Sequence, residues 1–564
     1  MKVYEAVAHA VRVEGCEAVF GLLGDANMGF WQALHSQGGV RIYSARHEAG
    51  AVAMADGHAR ATGGVALATV TSGPGITQLG TSLLAASRNR TPLIVVVGDV
   101  PASDLNNVQK FDQRHFVQAC ECEFVPITGA GNVAREMVEA FHIARTRRRP
   151  VVVDLPGDVQ DQTIDWDFDY RPARDFEPPV PAPDVQALAR LADALLAAER
   201  PVIIGGWGAK VSGAREDLVA LADHVGALLA TSLKAKGLFL GHEWDVGLAG
   251  AFAAAPAEEA LGGADFVLGV GAELGYYTTE GGLLFPEAMV ARIDTAPVPT
   301  DLGVLPGLYV RGDAAVTARA LLDVVRQRMP SPREGFRNAE VRAALAAPIA
   351  AREAPSDGMD PRQLAAALVE ALPADAVVTI GAGHFWAFPL MYGAIGPEVD
   401  LHLSYQFGAI GQTLPLALGI GAARAGRPHL VMEGDGGAMM NLQELETFAR
   451  EQVPAVVLVW NDCGFGAEVH KLRAKKFEPD LGRWNVSPDF VGVARALGGD
   501  GERVTDPAAA AVALARGFAS GGLFVIDARV SPSVVSDPYL KLQYGVPNQA
   551  PLLRCARAAA GSGA

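Results

Sequence analysis

Short apolar runs, each closed by a glycine-bearing turn and followed by a helix-compatible stretch, set the rhythm of this chain. Residues 65–70 (VALATV) are apolar and β-rich and run into TSGPG. A helical stretch follows over about 76–88, then the apolar run PLIVVVGD. Strand, glycine turn, helix and strand in this order predict parallel sheets with both faces covered. The pattern returns in PVIIGGWGAK and DFVLGVGAEL, and again in HLVMEGDGG and AVVLVWND.

Two stretches interrupt the rhythm. Residues 171–184 (RPARDFEPPVPAPD) are proline-rich and predict an extended linker. Residues 345–361 form a second, weaker break. The outer segments read as an internal repeat. In the first, Gly63, Gly73-Pro74-Gly75, Pro92 and Asp99 punctuate the elements; in the last, Gly426, Gly434-Asp435-Gly436, Pro454 and Asp462 do so in the same order. Two related domains flanking a different middle one are expected.

Composition narrows the function classes. The length of 564 residues suits roughly three or four domains. Lys plus Arg is 47 and Asp plus Glu is 63, for a net charge of −16. That argues against nucleic-acid binding and against a basic membrane patch. No run of about 18 apolar residues occurs, which argues against a membrane span. The five Cys (Cys16, Cys120, Cys122, Cys463, Cys555) form no CxxC pair, and no disulfide scaffold is expected. The N-terminal stretch is broken by Glu5, His9, Arg12 and Glu14. It lacks a signal-peptide core, and a cytoplasmic location is expected.

The strongest chemical signal is HLVMEGDGGAMMNLQELETFAREQVPAVVLVWNDCGFG. Asp435 stands just past one predicted strand, and Asn461 and Asp462 end the next. A right-handed crossover puts those ends side by side, where open α/β sheets bind ligands. Gly434, Gly436 and Gly437 let backbone N–H groups approach an anion at a helix start. Two carboxylates beside a phosphate-sized gap attract Mg²⁺. A Mg²⁺-bound diphosphate is the reading these residues support; a plain glycine turn capped by Asp435 is the alternative.

GDG, 24 residues and then Asn-Asp resembles the metal and diphosphate motif of thiamine diphosphate (ThDP) enzymes. That motif more often ends Asn-Asn. By resemblance, Asp435, the side chain of Asp462 and the carbonyl of Gly464 are the Mg²⁺ ligands. RHEAGAVAMADGHARATG (46–63) resembles the start of the pyrimidine-binding domain in that family. Glu48 falls on its activating glutamate, which bonds the aminopyrimidine ring nitrogen and favours proton loss from the thiazolium carbon. YQFGAIGQTLPLALGIGAA (405–423) resembles the segment that bends the cofactor. Ile410 is the wedge candidate, and the Gly408 carbonyl and Ile410 N–H are implied ring contacts. GAGHFW (381–386) offers Gly383 and His384 as diphosphate contacts.

The resemblance is to the decarboxylase/acetolactate-synthase branch, with relatives such as pyruvate decarboxylase and benzaldehyde lyase. It implies an α/β fold of three doubly wound parallel-sheet domains. These are a pyrimidine domain (1–170), a middle domain (185–340) and a diphosphate domain (360–545), and a tail (546–564) follows them. Few Arg and GLAGAF (248–253) in the middle domain depart from the FAD-binding pattern, so FAD is not expected. A homodimer or homotetramer with active sites between subunits is implied.

The reaction is read from fewer positions. GLLGDAN (21–27) resembles the GDxN loop of 2-oxo acid decarboxylases and puts Asp25 at a catalytic acid. Glu468, three residues after Phe465, matches a second acid there. These two acids favour CO₂ loss from a 2-oxo acid, then protonation of the enamine to an aldehyde. Gln109 in NNVQKFDQRHF instead resembles the glutamine of carboligases such as acetolactate synthase. His115 is either a site residue or a capped surface histidine. Cys463 is read as packing. A 2-hydroxyacyl-CoA or oxalyl-CoA lyase, with GGWG (205–208) near a nucleotide, and a non-catalytic ThDP-fold subunit are the other readings. Residues 536–555 either close over the site or pack on the surface.

Overall fold

The computed structural model describes residues 1–177, 179, 182–296, 304–347 and 352–553. It contains three six-stranded sheets, and every paired strand in them is parallel. The first holds β1 (Ala18–Gly21), β2 (Arg41–Ser44), β3 (Ala66–Val70), β4 (Leu93–Asp99), β5 (Glu123–Pro126) and β6 (Pro150–Pro156). The second holds β7 (Pro201–Gly205), β8 (Leu228–Thr231), β9 (Asp245–Leu248), β10 (Phe266–Val270), β11 (Met289–Asp294) and β12 (Leu308–Arg311). The third holds β13 (Val377–Gly381), β14 (Asp400–Ser404), β15 (His429–Gly434), β16 (Ala455–Asn461), β17 (Asp500–Val504) and β18 (Leu523–Arg529). Valine-rich β4 and β16 are buried along almost their whole length, as strands covered on both faces require.

The first and third sheets share one topology. Their orders are β2-β1-β3-β4-β6-β5 and β14-β13-β15-β16-β18-β17. Renumbered within each sheet, both read 2-1-3-4-6-5, which is the internal repeat expected from the spacing of turns. The middle sheet runs β12-β11-β10-β7-β8-β9, or 3-2-1-4-5-6 read from the other edge. That is the dinucleotide-fold order, with helices on both faces. The α/β fold of three doubly wound parallel sheets therefore stands.

Two helices join the outer sheets within the chain. The helix Glu48–Thr62 lies against the helix Thr413–Ala423. Their backbones meet through glycine. A Cβ on Gly57 would lie 2.0 Å from the Leu416 carbonyl oxygen, and one on Gly419 would lie 1.8 Å from that of Met54. Only glycine permits so close an approach.

The first break differs from a free linker. Glu14 is buried and accepts Tyr170 Oη–H at 2.8 Å and the Ala173 N–H at 2.6 Å. Its carboxylate anchors residues 170–173 to the first domain, and a short 3₁₀ turn follows at Ala173–Phe176. Proline content alone does not reveal this distant acceptor. Among the described residues no helix is long and apolar enough to cross a membrane. Cys16, Cys120, Cys122 and Cys463 are free thiols, and Cys555 lies outside the described residues.

Candidate active site

The loops after β1, β2, β3 and β4 gather at the carboxyl edge of the first sheet. Asn27 builds the first of them: its Oδ1 accepts the Gly24 N–H at 2.8 Å, and its Nδ2 donates to the Leu22 carbonyl and to Thr69 Oγ1. Asp25 stands exposed on that loop. Thr71 Oγ1 accepts the Ala26 N–H at 3.3 Å, which ties the loop to the turn after β3. Gln109 reaches the same turn. Ser72 Oγ–H donates to Gln109 Oε1 at 2.7 Å, and Gly73 (φ +59°) leaves room for the Gln109 side chain that a Cβ would fill. Glu48 begins the helix after β2, half-buried, behind a His47 ring that accepts the Ala49 N–H at 3.1 Å. Asp25, Glu48 and Gln109 thus share one sheet edge. His115 does not join them by any contact. Its ring is 80% exposed and is held by Asp112 at 2.6 Å.

The third sheet presents its residues in the same way. Asp435 is buried at the end of β15, and Asp462 is half-buried after β16, which pairs with β15 in register. Gly464 N–H donates to Asp435 Oδ2 at 3.2 Å and closes the two ends together. Burial, and then the charge of Asp462, push Asp435 well above the usual carboxylate range. Burial also raises Asp462, against the opposing pull of Arg483. Two crowded carboxyls that resist ionisation side by side suit a hard divalent cation, which neutralises both. Among the described residues no three His, Cys, Asp or Glu side chains gather at one point. A cation here would complete its shell from a backbone oxygen such as that of Gly464, from water or from ligand oxygens.

The glycines of GDGG have a different use from the expected one. Gly434 N–H donates to Glu433 Oε1 at 2.9 Å, and Gly436 N–H donates to Asp435 Oδ1 at 2.9 Å. Both donors are committed to carboxylates. Glu433 is fully buried beneath the turn, and a Cβ on Gly437 or Gly381 would lie 2.6 or 2.7 Å from its Oε1. Its Oε2 has no partner among the described residues. Burial pushes its carboxyl up to about 7. Sequence reasoning missed Glu433. The available signal was one acid inside the apolar strand HLVMEG.

Gly408 (φ +69°) and the half-buried Ile410 follow β14. The Gly411 carbonyl accepts Asn441 Nδ2–H at 2.6 Å, which fixes the Ile410 turn against the end of the GDGG helix. Gly383 (φ +147°) follows β13. His384, however, is buried and turned to the C-terminal segment. Its Nε2 accepts the Ser536 N–H at 2.8 Å, and its ring lies 4.3 Å from that of His470. Burial pushes both imidazoles down, so they are neutral together. Glu468 stands exposed in the first turn of the helix Gly466–Ala474 and pairs with Lys471 at 3.3 Å. Cys463 sits at φ +58°, and its sulfur accepts from Arg529 Nη1 at 3.5 Å and donates to Asn461 Oδ1 at 3.7 Å.

A contact between the outer domains adjoins Glu48. The buried Glu444 accepts the Arg46 N–H at 3.1 Å and Thr447 Oγ1–H at 2.7 Å, and Gly50 leaves no room for a Cβ beside it. Arg46 also pairs with Glu446 at 2.6 Å. Glu444 had no readable signal, because it lies in an ordinary amphipathic helix. The C-terminal helix Asp537–Tyr544 packs on the helix of Glu468, and Asn548 donates to the carbonyls of Ala251 and Ala253 at 3.1 and 3.0 Å. Residues 536–553 therefore clasp the third domain to the middle one.

Comparison with known proteins follows the three sheets. The thiamine pyrophosphate enzyme N-terminal TPP binding domain matches residues 1–121, the central domain 188–321 and the C-terminal TPP binding domain 379–528. A probable acetolactate synthase large subunit of Methanocaldococcus jannaschii is 28% identical over 555 residues, 94% of this chain and 92% of that protein. An acetolactate synthase large subunit of Haemophilus influenzae is 27% identical over 521 residues, covering 89% and 90%. A probable 2-ketoarginine decarboxylase of Pseudomonas aeruginosa is 30% identical over 526 residues, covering 91% of each.

Proposed function

Because this chain belongs to the thiamine pyrophosphate enzymes, we propose that it decarboxylates a 2-oxo acid without oxidation, using ThDP and Mg²⁺, and releases an aldehyde. When bound, ThDP supplies a carbanion that adds to the keto carbon and accepts the electron pair left by departing CO₂. The protein's own residues do the rest. Glu48 holds a proton at the aminopyrimidine ring. Asp435, Asp462 and the Gly464 carbonyl hold the cation, and Ile410 and Gly408 support the ring.

The exposed acids Asp25 and Glu468 carry the choice of aldehyde release, because the third candidate, Gln109, supplies no proton to carbon. Its Oε1 is taken by Ser72 Oγ–H, so only its NH₂ is left for substrate. An amide NH₂ can orient a substrate oxygen but cannot deliver a proton to carbon. Asp25 and Glu468, both exposed, are the acids for that step. Ligation to a second carbonyl, as in an acetolactate synthase, is the second reading. Two of the relatives carry that name, and the Gln109 NH₂ suits an acceptor carbonyl.

An acyl-CoA substrate held at GGWG has less support. Gly206 and Gly208 N–H groups already donate to the carbonyls of Val270 and Gly271 at 2.9 Å each. A Cβ on Gly206 would lie 2.2 Å from the Gly271 oxygen. That turn packs against protein. We further propose a homodimer or homotetramer with shared sites. Apolar side chains beside the candidate residues are open to solvent, among them Leu23, Val108, Phe407 and Met440. A second copy would cover them.

¹³C NMR of products from labelled 2-oxo acids, with ThDP and Mg²⁺ and with or without an acceptor aldehyde, tests the reading. Labelled aldehyde and CO₂ uphold it. A ligation product would favour the second reading, and Glu48→Gln should silence either.

A further inference from the structure

A small cavity lies between the first and third domains, walled by the helix that begins at Glu48, the helix Gly80–Arg88 and residues 404–416. It offers about 10 Å³ to water-sized groups. Its polar walls are Asp56, Arg60, Ser82, Ser404, Gln406 and Gln412. The two charges among them cancel. Arg60 donates through Nε and Nη2 to the two oxygens of Asp56 at 2.7 and 2.5 Å, and both side chains are almost fully buried.

The two amides keep unused donors. Gln406 is 8% exposed, and its Oε1 accepts from Arg60 Nη1 at 3.4 Å and from the Tyr405 N–H at 3.3 Å. Its Nε2 is buried and has no partner among the described residues. Gln412 Oε1 accepts Ser82 Oγ–H at 2.7 Å, and the Gln412 NH₂ makes no hydrogen bond among the described residues. A buried donor without an acceptor is costly, and protein interiors meet that cost by holding water where the site is polar.

We propose that this cavity binds one water molecule, which accepts from Gln406 Nε2 and Gln412 Nε2 and donates to the Asp56 carboxylate. At roughly 10–15 Å³ per water, the room suits a single one. Asp56 Oδ2 accepts from Arg60 Nη2 and keeps a lone pair beyond that bond. The donor set selects water over an ion. An ammonium has only donors and cannot accept from an amide NH₂. A metal cation would face the positive ends of two NH₂ groups, and an anion would face Asp56. The bound water joins the helix that Glu48 begins to the segment that carries Gly408 and Ile410, whichever reaction the site performs.

High-resolution crystal structures of the full chain test this, as grown and after soaking in rubidium chloride. One density peak is expected within about 3.2 Å of Gln406 Nε2, with no anomalous rubidium signal on it. Ala409 lies at the cavity wall on extended backbone (φ −72°), which suits a β-branched residue. Ala409→Val fills the space and should remove the peak. In solution, ¹⁷O relaxation dispersion counts long-lived waters and should find one fewer in that variant. A dry cavity in the parent, a peak out of reach of Gln406 Nε2, a rubidium signal at that point, or equal water counts in parent and variant would overturn the proposal.

Discussion

The Glu444 carboxylate accepts the backbone N–H of Arg46 at 3.1 Å, two residues before Glu48. The third domain thereby fixes the first turn of the helix that carries the candidate activating acid. Every group that Glu444 contacts here is a donor: the Arg46 and His47 N–H groups and the Thr447 hydroxyl. Glu444→Gln sets an NH₂ against those donors and should cost about 1–3 kcal/mol. Urea unfolding should show that loss. Proton exchange at the thiazolium carbon of bound ThDP should slow as well, because the turn bearing Glu48 loses its acceptor. A stability loss with unaltered exchange would reduce Glu444 to a structural contact.

Gly419→Ala tests the helix pair beneath that turn. The added methyl would lie 1.8 Å from the Met54 carbonyl oxygen, which is backbone and cannot swing aside. The helices must separate, at a cost of at least about 1–3 kcal/mol. The thermal midpoint should drop by several degrees or soluble protein should be lost. Gly426→Ala, where nothing lies within 4 Å of the new Cβ, is the control position in the same domain, with its φ of +84° as the only strain.

Much of this was legible because it depends on local pattern. Glycine turns after apolar runs reported the strand ends, and strand ends are where Asp435, Asp462, Glu48 and Asp25 stand. The internal repeat was readable for the same reason: turn spacing reflects strand and helix length. What failed to show were contacts across long sequence separations. Glu444 and Arg46 are far apart in the chain and meet only when the outer domains pack. Glu433 competes with the expected anion for the Gly434 N–H, and nothing in GDGG reveals that the donor is already used. His384 looked like a diphosphate contact because it follows a strand, yet the C-terminal segment takes its Nε2.

Acid–base linkage gives a prediction independent of the cofactor. Asp154 is buried in β6, and burial, with the Asp99 charge, pushes it up to about 7. An unfolded Asp titrates near about 3.9. Between those values the native state keeps a proton that the unfolded chain has released. Stability through this group therefore falls as pH rises, by up to about 1.4 kcal/mol per unit. Asp154→Asn removes that slope. Urea midpoints between about pH 5 and 8 should show the variant gaining on the parent up to about pH 7, then running parallel. A gap that stays constant across the range would mean that Asp154 has an ordinary proton affinity.

Asp435 and Asp462 separate the structural and chemical demands of one site. Gly464 N–H binds Asp435 Oδ2, so Asp435 shapes the turn between β16 and the next helix, as well as offering an oxygen to a cation. Asp462 fills the space that glycine at 466 leaves, with its Oδ2 only 2.3 Å from where a Cβ would stand. Asn has the same size and keeps one oxygen. Asp462→Asn removes one of two crowded carboxyls that burial keeps from ionising freely, so the metal-free protein should gain about 1–2 kcal/mol at neutral pH. Mg²⁺-dependent ThDP binding should survive, because the cation keeps an oxygen at both positions. Asp435→Asn should behave in the opposite way. It puts an NH₂ or a weaker acceptor where the Gly436 and Gly464 N–H groups converge. Mg²⁺-dependent binding should weaken by about 10–100-fold. Thermal unfolding in EDTA and ThDP titration with and without Mg²⁺ separate the two. Equal loss of binding in both variants would mean that the carboxylates act only as a charged pair, with no division of labour between the turn and the cation.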